Sequence, residues 1–202
     1  MPSKYQLSSS SIYYEGSSVA ENLLNIKDSE TIQRIEKELL EEAYGLFFDE
    51  LDTSTIFDEN YFISLHRRTF ESLYPWAGKY REFNMAKGES RFCQALHLHS
   101  SSKKIFDDLK KENYLKDYTQ EQKNEFVEKV AYYKCELIAL HPFYELNGRI
   151  TRMFIDMIVA YHGYQFVDYS HVDVDEYIDA SIECVQFANC EKMQKIIFDG
   201  LK

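Results

Sequence analysis

The 202-residue chain is poor in the residues that interrupt regular structure, with 7 glycines and 3 prolines. So few turn formers exclude a many-turned β fold and point to a mostly helical one. It lacks any apolar run near the roughly 18 residues that a membrane-spanning helix needs. Its first residues, Met1-Pro2-Ser3-Lys4-Tyr5, do not make a charged-then-apolar leader. It also lacks a positive excess: 23 Lys and Arg stand against 34 Asp and Glu, a formal charge of −11. A general nucleic-acid binder is disfavoured on that ground, because phosphate backbones demand a basic footprint. Cys93, Cys135, Cys184 and Cys190 show no Cys-x-x-Cys spacing, so free thiols are expected. With no internal repeat or linker either, the expectation is a single domain, 1–202, cytoplasmic, with no membrane and no nucleic-acid partner.

What is present is a basic middle in an acidic shell. Arg67, Arg68, Lys79, Arg81, Lys87, Arg91, Arg149 and Arg152 fall there while the acids crowd both ends, a distribution suited to a small polyanion. Apolar residues recur at three and four over 28–48, where Ile32, Ile35, Leu39, Leu40, Ala43 and Leu46 mark a long helix. A second helix runs to Phe70 with Asp58 or Asn60 as its cap. Pro75 and Gly78 then break the pattern. Two short strands flanking Lys87-Gly88-Glu89 form a hairpin. Helices resume over 100–111, 121–140, 149–162, 174–187 and 191–201.

The densest chemistry lies at His141-Pro142-Phe143-Tyr144-Glu145-Leu146-Asn147-Gly148-Arg149-Ile150-Thr151-Arg152. A helix must stop near His141, because the residue before a proline is pushed out of the α region. A second helix starts past Asn147-Gly148, and its N-terminus offers unpaired N–H groups and a positive dipole to phosphate. Arg149 and Arg152 are three apart and lean to one side, two positive forks beside that nest. Glu145 is a hard oxygen donor suited to Mg²⁺. His141 is suited to act as a general base. Each residue read alone fits a plain helix-loop-helix with a capping histidine and surface-paired arginines. The joint spacing is far more specific. His97 and His99, two apart, would make a zinc set with His141, but no Cys or acid completes it.

The twelve-residue stretch closely resembles the signature of the Fic family, H-P-F-x-(D/E)-G-N-G-R-x-x-R, departing from it at Leu146. Upstream, Tyr74-Pro75-Trp76-Ala77-Gly78-Lys79-Tyr80-Arg81 is similar to the segment that precedes the family's active site, and Lys87-Gly88 followed by Phe92 resembles its flap. The resemblance implies an all-α, Fic-type helical bundle with a β-hairpin flap beside the active site, and 141–152 as active-site loop and helix start. It implies an enzyme that moves AMP from ATP onto a Ser, Thr or Tyr hydroxyl of a target protein, with Mg²⁺ and release of pyrophosphate. His141 would then be the base and Glu145 the metal ligand. Asn147, Gly148, Arg149 and Arg152, with Lys87 and Gly88, would hold the nucleotide. Ala86, Lys87, Gly88 and Phe92 would dock the target, by addition of its strand to the flap.

Ser17-Ser18-Val19-Ala20-Glu21-Asn22 matches the family's inhibitory pattern (S/T)-x-x-x-E-(G/N). The match implies a helix over 12–26, formed around Ser17, Glu21 and Asn22, that lays Glu21 on Arg152 as a built-in brake. Read alone, the same residues are a capping pattern. Leu146 stands where glycine serves a positive φ or a close ligand approach, at a strain of about 1–2 kcal/mol. The resemblance leaves open another nucleotide, removal of AMP instead of its transfer, a catalytically weak protein that acts by binding, and self-association.

Overall fold

The computed structural model describes residues 12–202 together with the backbone of Gln6–Leu7. The fold is mainly helical. Its elements are β1 (Gln6–Leu7), α1 (Ser29–Asp49), α2 (Glu59–Phe70), β2 (Met85–Lys87), β3 (Ser90–Arg91), α3 (Leu98–Lys111), α4 (Lys123–Leu140), α5 (Asn147–Tyr161), α6 (Val174–Phe187) and α7 (Glu191–Gly200). Three starts are capped by aspartates: Asp28, Asp58 and Asp173 accept from the backbone N–H groups of Thr31, Tyr61 and Glu176. Each satisfies a donor that the first turn leaves without an intrahelical partner.

Helix α5 is the axis of the core. Ile150, Met153, Phe154, Ile155, Met157, Ile158 and Val159 are all fully buried, so the helix is apolar nearly all round, as a central helix must be. Helices α1 and α2 cover one side of it and α4 the other, while α3, α6 and α7 pack on α4. Phe57, Phe62, Phe106 and Phe154 meet edge to face or tilted at centroid distances of 5.4–6.3 Å, arrangements that the ring quadrupole favours.

The flap hairpin forms where the sequence places it. Lys87 pairs with Ser90 and Ala86 with Arg91, and Gly88 turns the chain at φ +57°. A third strand was not foreseen: β1 pairs antiparallel with β2, Gln6 opposite Ala86 and Leu7 opposite Met85.

Two expectations are corrected. Residues 12–26 do not form a helix. They fold back on themselves, with a bridge between Tyr13 and Ala20, left-handed turns at Gly16 and Asn25, and hydrogen bonds from Tyr14 N to Val19 O and from Glu21 N to Ile12 O. Ser17 and Asn22 serve these turns: Ser17 Oγ accepts from Val19 N, and the Asn22 amide bonds Ala20 O and Ile26 O. The short polar side chains thus satisfy the backbone locally in place of a helix. The cysteines are not all free either. Cys135 and Cys184 are joined, their Cα atoms 5.0 Å apart, because α4 and α6 pack with these positions face to face. Cys93 and Cys190 are free.

One side chain ties the flap to the helices. Arg81 is 2% exposed, and its guanidinium donates to His141 O, Phe83 O, Cys93 O and Leu140 O. Burial pulls its pKa down to about 10, still charged at neutral pH. Arg81→Met strands these carbonyls and is expected to cost at least about 3 kcal/mol. Arg81→Lys, which has no planar fork, recovers little of the loss. Urea unfolding of both variants checks this.

Candidate active site

The motif loop is built from backbone strain and buried polar closure. Helix α4 ends at His141, which adopts a left-handed conformation (φ 46°, ψ 57°) and donates its N–H to Leu137 O. The Asn147 side chain then closes the loop on itself. Its Oδ1 accepts from Phe143 N and its Nδ2 donates to Phe143 O, both at 2.8 Å. Phe143 bridges Tyr80 in the upstream motif and stacks on His66 at 4.0 Å. Gly78 in that motif has φ +74°, and a Cβ there would lie 2.7 Å from Arg67 Cβ, so only glycine allows the approach.

Leu146 stands in front of α5 at φ 67°, ψ 9°, the left-handed region that glycine would enter without strain. Its carbonyl accepts from Ile150 N, so the helix starts normally behind it. Burial explains how a leucine is held there: the side chain is 6% exposed, and the roughly 1.5–3 kcal/mol of burial offsets the strain.

His141, Leu146, Asn147, Gly148, Arg149 and Arg152 come together along one cavity of about 510 Å³. Lys87, Gly88, Ser90 and Phe92 of the flap close one side, and Tyr177, Ile178, Ser181, Ile182 and Val185 of α6 close another. The volume suits a nucleotide. One end is cationic and carries the α5 N-terminus, and the other is apolar. The His141 ring lies flat on Phe92, with centroids 3.7 Å apart and planes at 14°. A larger cavity of about 760 Å³ lies beside the flap, lined by Ala86, Arg91, Phe92 and Glu136, and touches none of the motif's charged groups. Of the expected site residues, Ala86 falls there instead.

Three residues sit differently from expectation. Glu145 does not line the nucleotide-sized cavity; it is buried, and its Oε1 accepts from Tyr13 Oη at 2.5 Å. Glu21 is exposed, and among the described residues no ion pair joins it to Arg152, because the backfolded 12–26 segment points it outward. Arg152 instead stacks on Tyr169 and Tyr177. The carboxylate that does reach a motif arginine is Glu36 of α1, a residue the sequence did not single out. It is buried, pairs with Arg149 Nη1 at 2.8 Å and accepts from Tyr74 Oη at 2.7 Å.

His66 also escaped sequence reading, because its position on the buried face of α2 reads as ordinary core. Its Nδ1 accepts from Gly78 N and its Nε2 faces Glu145 O, which fixes the neutral tautomer that joins the upstream turn to the motif loop. α6 was expected as a helix over 174–187, but nothing local says what its apolar residues face.

A family model described as Fic/DOC family matches residues 56–159. The chain belongs to the Fic/DOC family. Protein adenylyltransferase VbhT of Bartonella schoenbuchensis is 35% identical over 196 residues, which span 91% of this chain and 39% of that protein. The chain therefore covers well under half the length of that relative. Probable protein adenylyltransferase y4lH of Sinorhizobium fredii is 28% identical over 89% of this chain and 90% of its own. In fold, the chain matches the BepC protein of Bartonella tribocorum, crystallised with bound AMPPNP, at TM-score 0.80 and 24% identity, covering 95% of this chain and 96% of that one. No helix among the described residues is long and apolar enough to cross a membrane.

Two outcomes follow from this geometry. Leu146→Gly relieves about 1–2 kcal/mol of strain but loses about 1.5–3 kcal/mol of burial and adds Gly flexibility. The net is destabilisation by about 1 kcal/mol, read as a lower urea midpoint. Burial drives His66 down to about 4. Unfolded His66 takes up a proton below about 6.5 that the folded chain refuses, so its share of stability is lost as pH falls from about 6.5 to 4, by about 3 kcal/mol at most. Buried Asp156, pushed up to about 6, works in the opposite direction over part of that range. His66→Gln isolates the histidine's share: between pH 7 and 5 its melting temperature should drop less than that of the wild type.

Proposed function

We propose that the chain transfers AMP from ATP to a hydroxyl of a protein target, the activity named for its relatives VbhT and y4lH. The observation that carries this reading is the cavity, which gathers His141, the start of α5, Arg149 and Arg152 under the flap. The helix N-terminus and the two arginines suit a triphosphate, and Ile138, Ile178, Ile182 and Val185 suit a base. His141 takes the hydroxyl proton. The hydroxyl oxygen bonds the α-phosphorus as the bond to the bridging oxygen breaks, and pyrophosphate leaves with that electron pair. Positioning and charge stabilisation supply most of the rate.

Asn147 contributes chiefly by closing the loop, since both ends of its amide are used by Phe143. Gly148 and the first N–H groups of α5 remain for phosphate. Glu36 holds Arg149 at the cavity edge. Among the described residues no cluster of three ligating side chains is prepared for a metal. A single hard carboxylate fits Mg²⁺, which binds through one or two carboxylates plus substrate phosphates. Glu145, which borders the motif loop behind the cavity lining and now bonds the Tyr13 hydroxyl, is the residue that would hold it in exchange for that hydroxyl, and Mg²⁺ there would neutralise phosphate charge. The target's strand would add to the flap at β2 only in place of β1, which pairs with that edge here.

The test compares α-labelled with γ-labelled ATP, each given with Mg²⁺ to wild type and His141→Ala in the presence of a bacterial lysate. Protein-bound label from the α position alone, reduced about 10²–10⁴-fold in His141→Ala, is the expected result. Label from the γ position would make the enzyme a phosphotransferase. No protein label from either would overturn the reading.

A further inference from the structure

Beneath the cationic end of the cavity lies a buried group that this reaction does not call on. Lys134, in the middle of α4, is fully buried, and a buried ammonium carries a heavy desolvation cost. Core packing alone has no use for its charge, since Met or Leu would fill the volume. Its Nζ donates to Tyr169 Oη at 2.6 Å and stands 4.4 and 5.0 Å from the ring centroids of Tyr169 and Tyr177. Arg152 stands over the same two rings, its Cζ at 4.6 and 5.0 Å. The rings are perpendicular, at 88° and 5.6 Å. Two cations therefore share two phenols, an arrangement that attraction to ring faces favours.

Resting on the AMP-transfer reading, we propose that Tyr169, Tyr177 and Lys134 are positioning residues that hold Arg152 aimed at the terminal phosphate, so that the site prefers a triphosphate to a diphosphate. A free arginine loses rotamer freedom when it grips an anion. Stacked in this corner, Arg152 has already lost it. Stacking engages the guanidinium's faces, and one edge donor meets the Tyr177 hydroxyl, while Nε is buried with no hydrogen-bond partner. Tyr177 belongs to the cavity wall, so the cage opens onto the ligand. Lys134 fixes Tyr169 through its hydroxyl and adds positive potential behind Arg152. Asp156 faces both cations, but its oxygens are engaged by Tyr44 Oη and Val167 N, so the phenols carry the contact. Burial raises the Tyr177 phenol, yet Lys134 and Arg152 outweigh it and hold the group below its ordinary range.

The experiment measures calorimetric affinity for AMPPNP and for ADP in wild type, Lys134→Met and Tyr169→Phe, each full-length, with folding checked by circular dichroism. Wild type should prefer AMPPNP. Lys134→Met should lose about tenfold in affinity for AMPPNP with little change for ADP, and Tyr169→Phe, which removes one hydroxyl, should lose severalfold in the same selective way. Equal losses for both nucleotides, or an unchanged ratio, would overturn the cage while leaving the function reading intact. No nucleotide binding by the wild type would overturn both. Should Lys134→Met fail to fold, the nearly isosteric Tyr169→Phe decides alone.

Discussion

The site depends on the Arg81 guanidinium. The carbonyls at the end of α4 have no intrahelical partners and carry the negative end of the helix dipole. Leu140 and His141 are two of them, and Arg81 satisfies both while also binding Phe83 and Cys93 at the base of the flap. One planar cation thus joins three pieces that lie far apart in sequence: the upstream turn, the flap and the motif loop. The Arg81 N–H adds a bond to Pro142 O, and the Tyr80–Phe143 bridge continues the seam. A charge so buried persists only because every contact is well placed, and that requirement fixes where His141 stands relative to Phe92.

Around this anchor, the loop is held in two strained steps. His141 and Leu146 both adopt left-handed conformations, and neither is glycine. Each is retained by what surrounds it, the first by the Phe92 ring and the second by burial. His66 and Asn147 complete the closure with hydrogen bonds made inside the core. Rigid loops of this kind present a helix N-terminus and its arginines with little freedom left to lose, which is what phosphate recognition requires.

The N-terminal segment meets the site twice, though not through the Glu21–Arg152 contact that its sequence suggested. β1 lies along the flap edge, and Tyr13 holds the Glu145 carboxylate. Glu36, from α1, reaches Arg149. A motif such as Ser-x-x-x-Glu-Asn specifies a helix only when its polar groups are not satisfied closer at hand. Here Ser17 and Asn22 bond their own neighbouring backbone, and that local economy outweighs helical continuation.

The sequence by itself determined most of the helical frame and the chemistry of the motif. Apolar periodicity marked the long helix over 28–48, because burial of one face is a local property of spacing. Asp58 and Gly88 marked a helix start and a tight turn because capping and positive φ are satisfied within a few residues. Pro142, Gly148 and the paired arginines marked an anion site for the same reason. Only the tertiary structure decided which distant groups complete it: His66 against Glu145 O, Glu36 on Arg149, Tyr13 on Glu145, the union of Cys135 with Cys184, and the Tyr169–Tyr177–Lys134 corner behind Arg152. These contacts join residues 35 or more positions apart, as with Lys134 and Tyr169 at 35 and Cys135 and Cys184 at 49, except where Arg152 meets Tyr169 and Tyr177 across the turn after α5. Their partners are chosen by how helices pack, and no spacing along the chain carries that information.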